Sequence, residues 1–444
     1  MLRFGTDGIR GDAETDLTSN LVVALGRAAA VVFGVERPFV VGRDTRRSGP
    51  RLRDELAIGL QAEGAVVRDA GVLPTPGLAF VASGAGCPAL MISASHNPWS
   101  DNGIKLFAPG GRKLDDALER RIEDELRARS LEPAPAGVVP AFDGESHAGY
   151  LEHLVAAVGG RRLDGLRVVL DCANGAAYEL GPAVFRALGA DVVVLHATPD
   201  GTNINEACGS TSPHDLQAAV VAEGAQAGLA FDGDADRVLA VDERGTLVDG
   251  DQIMVIAALD MQERGLLRNH AIAVTVMSNL GLRQALRPAG ITVVETPVGD
   301  RHVFTAIEDH DLVLGGEQSG HVIYRDLATT GDGILTGLLL LDRAHRAGRP
   351  LSELAASMTR VPQLLESVRV GSRPDLASAP GLTAEIAAVE GELGDLGRVL
   401  VRASGTEPVI RIMVEAPTDE GARAALARLR RATEDAFGAA ANGR

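Results

Sequence analysis

The chain is poor in cysteine, lysine and long apolar runs, and each scarcity removes a class of protein. Cys87, Cys172 and Cys208 are its only cysteines. An odd number without any C-x-x-C spacing excludes a disulfide framework and a zinc ribbon, and fits a reducing compartment. The greasiest windows, residues 253–259 and 334–341, are closed by Asp260 and Asp342 before they reach membrane-spanning length. The first residues carry no apolar targeting core. A cytoplasmic protein with no membrane partner is the expectation. Positive charge is also short, with 43 Lys+Arg against 60 Asp+Glu for a net −17. That argues against non-specific nucleic-acid binding, and it requires any anion site to be built locally. Lysine occurs only at Lys105 and Lys113. A guanidinium cannot exchange a proton near neutral pH whereas a desolvated ammonium can, so Lys105 reads either as a proton mover or as a chance survivor. Lys113 has no evident use.

What is present is ordinary for an α/β protein. Hydrophobic residues make up 45% and charged residues 23%, with 52 Gly and 21 Pro spread along the chain. At 444 residues the chain exceeds a single core, and roughly three or four domains are expected. One pattern recurs: a strand, an amphipathic helix, a strand and a Pro-containing turn. It runs through residues 39–42, 52–63 and 65–67, then 168–171, 181–188 and 191–195, then 271–277, 280–287 and 291–295. Three related α/β units with parallel or mixed sheets follow. Beyond Met358 the character changes to strands at 363–370, 397–402 and 409–415 with helices at 383–390 and 418–436, a smaller α+β domain. A Pro/Ala linker at 131–137 follows the charged helix 115–129. The expected domains are 1–145, 146–251, 252–362 and 363–444.

Five polar segments interrupt this scaffold. Phe4-Gly5-Thr6-Asp7-Gly8-Ile9-Arg10-Gly11 lacks the Lys-Ser/Thr of a Walker loop. Alone it reads first as a plain turn with a solvated Arg10, and second as a backbone that lets a ligand approach beneath that arginine. The apolar run 88–92 delivers Ser93-Ala94-Ser95-His96-Asn97-Pro98, with Lys105 ten residues past the serine, a candidate nucleophile loop. Phe231-Asp232-Gly233-Asp234-Ala235-Asp236-Arg237 places three carboxylates at alternate positions between strands. Clustered carboxylates repel unless a cation stands among them, and all-oxygen ligation selects Mg²⁺ or Ca²⁺. An EF-hand fails because Arg237 stands where its loop needs glycine, which leaves an open Mg²⁺ site. Gly315-Gly316-Glu317-Gln318-Ser319-Gly320-His321 reads as a sugar-hydroxyl loop or an ordinary hairpin turn. Arg402-Ala403-Ser404-Gly405-Thr406-Glu407-Pro408, with Arg411, reads as an anion nest suited to a phosphate dianion.

These segments in this order, with TPVGDRHV (296–303) and TTGDGI (329–334), resemble the α-D-phosphohexomutase superfamily along the whole chain. GTDGIRG, TTGDGI and SGTEP are more similar to its glucosamine branch than to its phosphomannomutase/phosphoglucomutase branch. The resemblance implies four domains around a central cleft. It implies interconversion of glucosamine 6-phosphate and glucosamine 1-phosphate, through a phosphorylated Ser95 and a 1,6-bisphosphate, in supply of amino-sugar nucleotide (cell-wall precursor) synthesis. Mg²⁺ would be held by phosphorylated Ser95 with Asp232, Asp234 and Asp236. Arg10 and Lys105 would stand near the transferring group, with His96 as an orienting neighbour and Arg237 beside the metal loop. Glu317 and Ser319 would take the sugar hydroxyls, with Gly299, Asp300, Arg301 and His321 in the same substrate site. Arg402, Ser404, Gly405, Thr406 and Arg411 would hold the non-reacting phosphate. The partner is a small sugar phosphate, and a homodimer is allowed. Trp99, the single tryptophan, departs from the smaller aromatic or proline expected there. The alternatives are a phosphomannomutase/phosphoglucomutase, a non-catalytic sugar-phosphate binder, and a hydrolase using the same metal.

Overall fold

A computed structural model describes residues 8–129, 137–371, 375–404 and 408–438. Gly405 and Thr406, the first residues of the opening glycine-rich segment, and most of the Pro/Ala linker lie outside the described residues. Two compact units form, one of Met1–Met277 with Ala289–Ser357, the other of Ser278–Pro288 with Met358–Arg444.

The first unit holds three mixed sheets. In the first, β1 (Ile9–Asp12), β2 (Phe39–Arg43), β3 (Val67–Val72), β4 (Ala89–Ile92), β5 (Asp101–Ala108) and β6 (Arg112–Lys113) take the order β1-β5-β4-β2-β3, with β6 on β5. In the second, β7 (Arg167–Asp171), β8 (Asp191–Leu195), β9 (Ala227–Phe231), β10 (Val238–Asp242) and β11 (Leu247–Val248) take the order β11-β10-β9-β7-β8. In the third, β12 (Ala271–Thr275), β13 (Thr292–Thr296), β14 (Leu314–Gly316) and β15 (Val322–Tyr324) take the order β13-β12-β14-β15.

A common plan underlies all three. Each centres on a parallel triplet, β3-β2-β4, β8-β7-β9 or β13-β12-β14, whose last strand is followed by an antiparallel neighbour, β5, β10 or β15. The triplets read as near-continuous apolar runs because helices cover both faces, and β4, β9 and β12 are buried along their whole length. The Ser95, Asp232–Asp236 and Glu317–His321 segments each occupy the same place, the loop between the last parallel strand and its antiparallel partner. Three cores therefore deliver three polar loops by one topology.

The sequence pattern places the second strand of its first strand-helix-strand repeat at residues 65–67, but β3 begins at Val67. Gly64 turns the chain after the helix Gly49–Ala62 and Val66 stays exposed, so pairing starts only at Phe39↔Val67. No helix among the described residues is long and apolar enough to cross a membrane.

The second unit is an antiparallel sheet, β16 (Gln363–Arg369), β17 (Arg398–Ala403) and β18 (Val409–Glu415) in the order β16-β18-β17, covered by the helices Pro380–Leu393 and Asp419–Phe437. The helix Leu280–Leu286 clusters with this sheet although it connects β12 to β13. Its first N–H donates to Glu415 Oε1 at 2.9 Å, and Asn279 Nδ2 donates to the Val361 carbonyl at 2.8 Å.

Candidate active site

Ser95 sits at the tip of the β4–β5 loop with φ +51°, a left-handed conformation that costs a non-glycine residue of order 1 kcal/mol. A set of backbone bonds holds it there. Arg46 is fully buried, ion-paired through Nε to Asp44 Oδ2 at 2.9 Å, and spends its remaining donors on loop carbonyls. Nη2 donates to Ser95 O and Asn97 O, each at 2.9 Å, and Nη1 donates to Asp101 O at 2.9 Å and to Pro98 O. Asn205 Nδ2 reaches the Ser95 and Asn97 carbonyls from the neighbouring sheet's loops, at 2.8 and 3.1 Å. The Ser95 N–H donates to Ser93 Oγ at 2.9 Å, and that hydroxyl donates to Asp44 Oδ2 at 2.7 Å.

The β9–β10 loop closes on this one. A Cβ on Gly233 would lie 2.4 Å from Ser95 O, so only glycine permits the approach. Ser95 Oγ then donates to Asp232 Oδ2 at 2.6 Å. One oxygen from each of Asp232, Asp234 and Asp236 falls within 4.8 Å of the others, and all three side chains are buried. Lys105 Nζ lies 2.6 Å from Asp234 Oδ2 and 3.4 Å from Asp236 Oδ2. Thr75, at the start of the helix Thr75–Ala85, donates through Oγ1 to Asp234 Oδ2 at 2.5 Å and through its N–H to Asp234 O at 2.9 Å.

The electrostatics call for a cation. Burial pushes Asp232 well above the carboxylate range, and the negative charges of Asp236 and Asp234 push it the same way. Burial also acts on Asp236, but Lys105 and then His321 outweigh it and hold that carboxyl well below its usual range. Asp234 Oδ1 and Asp236 Oδ1 are buried with no hydrogen-bond partner among the described residues. Two orphaned carboxylate oxygens beside a third carboxylate on Ser95 fit a hard divalent cation such as Mg²⁺. His96 Nδ1 lies 3.2 Å from Ser95 Oγ and 3.3 Å from Arg237 Nη1. Its pKa is lowered by burial, then by Arg237 and Arg10, which keeps the imidazole neutral and unsuited to donating a charge. Arg10 pairs across β1–β5 with Gly103, which places its side chain over that glycine.

The β14–β15 loop docks on the second sheet in turn. Gly320 has φ +91°, and a Cβ there would meet the Val238 carbonyl at 2.0 Å. Glu317 Oε1 accepts from the Gly299 N–H at 3.2 Å, and Ser319 Oγ donates to Glu317 Oε2 at 3.4 Å. His321 is buried, accepts from the Gly331 N–H at 3.1 Å, and lies between Asp236, 3.7 Å away, and Asp300, 3.6 Å away. Asp300 is ion-paired to Lys113, the lysine without an evident use in the sequence. Arg301 donates to Leu114 O at 3.1 Å and pairs with Glu119 at 2.9 Å and with Asp116. Both residues thus tie the third sheet's loops to the first sheet. In the second unit Arg402 and Arg411 stand directly opposite across β17–β18, and the Ser404 N–H donates to Val409 O at 2.8 Å. Like charges opposed in this way repel unless an anion bridges them.

The phosphoglucomutase/phosphomannomutase alpha/beta/alpha domains I, II and III match residues 1–132, 148–245 and 249–361, and the C-terminal domain of the same family matches residues 365–432. The chain belongs to the phosphoglucomutase/phosphomannomutase family. Its domains are those of the phosphohexomutases, three α/β units with mixed sheets and a smaller C-terminal one. A phosphoglucosamine mutase from Salinispora tropica is 51% identical over 439 residues, covering 96% of this chain and 97% of that protein. One from Frankia alni is 52% identical over 441 residues, covering 96% of each. Among solved structures, a phosphoglucomutase/phosphomannomutase family protein from Burkholderia thailandensis superposes with a TM-score of 0.81 at 26% identity, covering 97% of both chains.

The loops carrying Ser95, the aspartates and Glu317 converge in this phosphohexomutase scaffold. The sequence missed Arg46, Asp44, Asn205 and Thr75, which hold those loops. The one signal available was the charged triplet Asp44-Thr45-Arg46 directly after an apolar strand, a place where solvated charge is usual.

Asp332 adds a titration outside this cluster. It accepts the Tyr150 hydroxyl at 2.8 Å and caps the helix Gly333–Ala347 by accepting the Leu335 N–H. Burial raises its pKa from 3.8 to about 6. A carboxyl raised on folding contributes stability that is fully present below pH 3.8 and is lost as pH rises through about 6. Asp332→Asn keeps an acceptor but cannot ionise. Between pH 4 and pH 7 the variant should lose about 2 kcal/mol less stability than the parent, read from urea midpoints at each pH. Equal pH slopes would contradict the burial of an ionisable group there.

Proposed function

We propose that this chain interconverts glucosamine 6-phosphate and glucosamine 1-phosphate through a phosphorylated Ser95 and a 1,6-bisphosphate, in supply of amino-sugar nucleotide synthesis. The observation that carries the reading is Ser95 Oγ held 2.6 Å from one of three clustered, buried aspartates, in a chain whose relatives at about half identity are named phosphoglucosamine mutase. Three free, buried cysteines support a cytoplasmic setting. Domain limits near residues 145, 251 and 362 belong to the same proposal.

Phosphoryl transfer passes through a loose transition state, so placement and charge neutralisation matter more than nucleophile strength. Ser95 is placed by its backbone. Arg10, Lys105 and Arg237 supply fixed positive charge around it. Asp232, Asp234 and Asp236 would hold Mg²⁺, which supplies Lewis-acid neutralisation of phosphoryl oxygens when bound. His96 orients Ser95 Oγ. Glu317 and Ser319 take sugar hydroxyls, with Gly299, Asp300, Arg301 and His321 shaping that site. Arg402, Ser404, Gly405, Thr406 and Arg411 bind the phosphate that does not react. A substrate phosphorylated at either end must bind in two orientations, which favours a strong distal phosphate site and tolerant sugar contacts.

Lys105 is buried on two carboxylates, so its charge and its proton are separable by substitution. Lys105→Arg keeps the charge and removes the exchangeable proton, and kcat should fall by about a hundredfold. An unchanged kcat would leave Lys105 a purely electrostatic group. The function itself is tested by a coupled assay comparing kcat/KM for glucosamine 6-phosphate with mannose and glucose phosphates, together with mass spectrometry of the Ser95 peptide. Preference for the neutral sugars would move the chain to the other branch. Steady release of inorganic phosphate would make it a hydrolase, and absence of both turnover and phosphoserine would leave a binder.

A further inference from the structure

Besides the three aspartates, one other group of metal-ligating side chains converges among the described residues. Asp171, His196 and Cys208 each bring one donor atom within 4.8 Å of the other two. The strands explain the convergence. β7 and β8 run parallel with Asp171 opposite Leu195, so His196 emerges beside Asp171. Cys208 is set against them by a loop whose Gly209 N–H donates to Asp171 Oδ2 at 2.8 Å. Asp171 and Cys208 are fully buried, while the His196 ring reaches solvent along one edge.

The imidazole makes the case for a ligand. His196 Nε2 lies 3.4 Å from Asp215 Oδ2. Its Nδ1 is buried 3.1 Å from Asp171 Oδ1, with no well-directed hydrogen bond among the described residues. With the proton on Nε2, facing Asp215, Nδ1 presents a lone pair to a carboxylate and a sulfur. The Nδ1 lone pair and the Asp171 carboxylate repel one another unless a proton or a cation stands between them, and Cys208 Sγ completes a mixed donor set. A carboxylate behind the second ring nitrogen is also what fixes the tautomer of a metal-bound histidine. The thiol is no free nucleophile, because burial pushes Cys208 up to about 12 and a thiolate there needs a metal to form.

We propose that Asp171, His196 Nδ1 and Cys208 Sγ form a second cation site for Zn²⁺ or a similarly soft divalent transition ion, with Asp215 orienting the histidine. The fourth position lies on the open edge and is left to water. Mixed oxygen, nitrogen and sulfur donors select against Mg²⁺, which separates this site from the all-carboxylate cluster. Tetrahedral zinc sets such donors about 3.3–3.6 Å apart, so the group closes with side-chain shifts of about an ångström. The loop that carries Cys208 also carries Asn205, which bonds the Ser95 and Asn97 carbonyls. An ion here would pin that loop. The inference stands apart from the sugar specificity.

The full-length protein in excess Mg²⁺, titrated with Zn²⁺ and separately with Co²⁺ under reducing, anaerobic conditions, tests it. The expected result is a single Zn²⁺ per chain that Mg²⁺ does not displace, and a thiolate-to-cobalt charge-transfer absorption. Cys208→Ser should abolish the absorption and weaken Zn²⁺ at least about a hundredfold, and Asp215→Asn should weaken it about ten- to hundredfold. Asp232→Asn, at the other cluster, should leave both signals in place. No charge-transfer absorption in the intact protein overturns the proposal and leaves His196 a bridge between Asp171 and Asp215. An absorption that survives Cys208→Ser, or that disappears with Asp232→Asn, overturns it as well. The cobalt spectrum of the intact protein gives its answer whether or not the variants fold.

Discussion

Replacing Ser95 with alanine is expected to lower interconversion at least about a thousandfold and to remove the phosphorylated peptide from the mass spectrum. The loss should be chemical rather than structural. Arg46 and Asn205 bond the loop through the carbonyls of residue 95 and its neighbours, not through the hydroxyl. Alanine carries the same cost at φ +51°, so the loop should keep its shape. What disappears is Oγ and its 2.6 Å bond to Asp232. The urea midpoint should therefore correspond to a stability change of no more than about 1–2 kcal/mol. Turnover at the parent rate would sink the assignment of Ser95. A parallel collapse of stability would instead mean that the hydroxyl is part of the fold.

Arg46→Met should be the most damaging substitution outside the reacting groups. It leaves Asp44 as an uncompensated buried charge and strips donors from four loop carbonyls. Loss of a buried ion-pair partner costs about 3–5 kcal/mol. A second variant separates the two consequences. Arg46→Met combined with Asp44→Leu removes the orphan charge, and such apolar replacements recover much of the stability, on the order of a few kcal/mol. The loop lacks the four guanidinium bonds in both variants. If Arg46 positions Ser95, kcat stays low in the double variant while stability returns and KM changes little. If kcat recovers with stability, the guanidinium serves the fold alone.

The contrast between Ser95 and Arg46 shows what the sequence could carry. The parallel strands announce themselves as apolar runs, and clustered hydroxyls and carboxylates between such runs stand out because the scaffold gives them no reason to be there. The Ser95 and Asp232–Asp236 loops were legible on that ground, whereas Glu317–His321, which alone reads as well as a hairpin turn, stood out through the family resemblance. Arg46 was not, since an arginine among Arg43, Asp44 and Arg47 after a strand has the composition of a solvated turn and only tertiary packing turns it inward. The pairing of Lys113 with Asp300 and of Thr75 with Asp234 spans 187 and 159 positions, beyond any local pattern. The helix Leu280–Leu286 reads as part of the strand-helix-strand repeat, yet its contacts to Glu415 place it with the C-terminal sheet. β3 starts at Val67 because a glycine turn delays pairing, a detail that side-chain hydrophobicity at Ala65 and Val66 obscures.

Each of the three loops leaves the same corner of its own sheet, the turn after the last parallel strand, and none shares a strand with another. On the proposed function the labour would divide accordingly: the first loop would handle the travelling group, the second would balance its charge, and the third would meet the sugar ring. On that proposal a protein engineer can treat residues 317–319 as an exchangeable cassette. Rewriting them would retune which hexose is accepted without touching the strands that hold Ser95 or the aspartates, provided Gly320 keeps the backbone shape that seats the loop against Val238 and His321 stays beside Asp236.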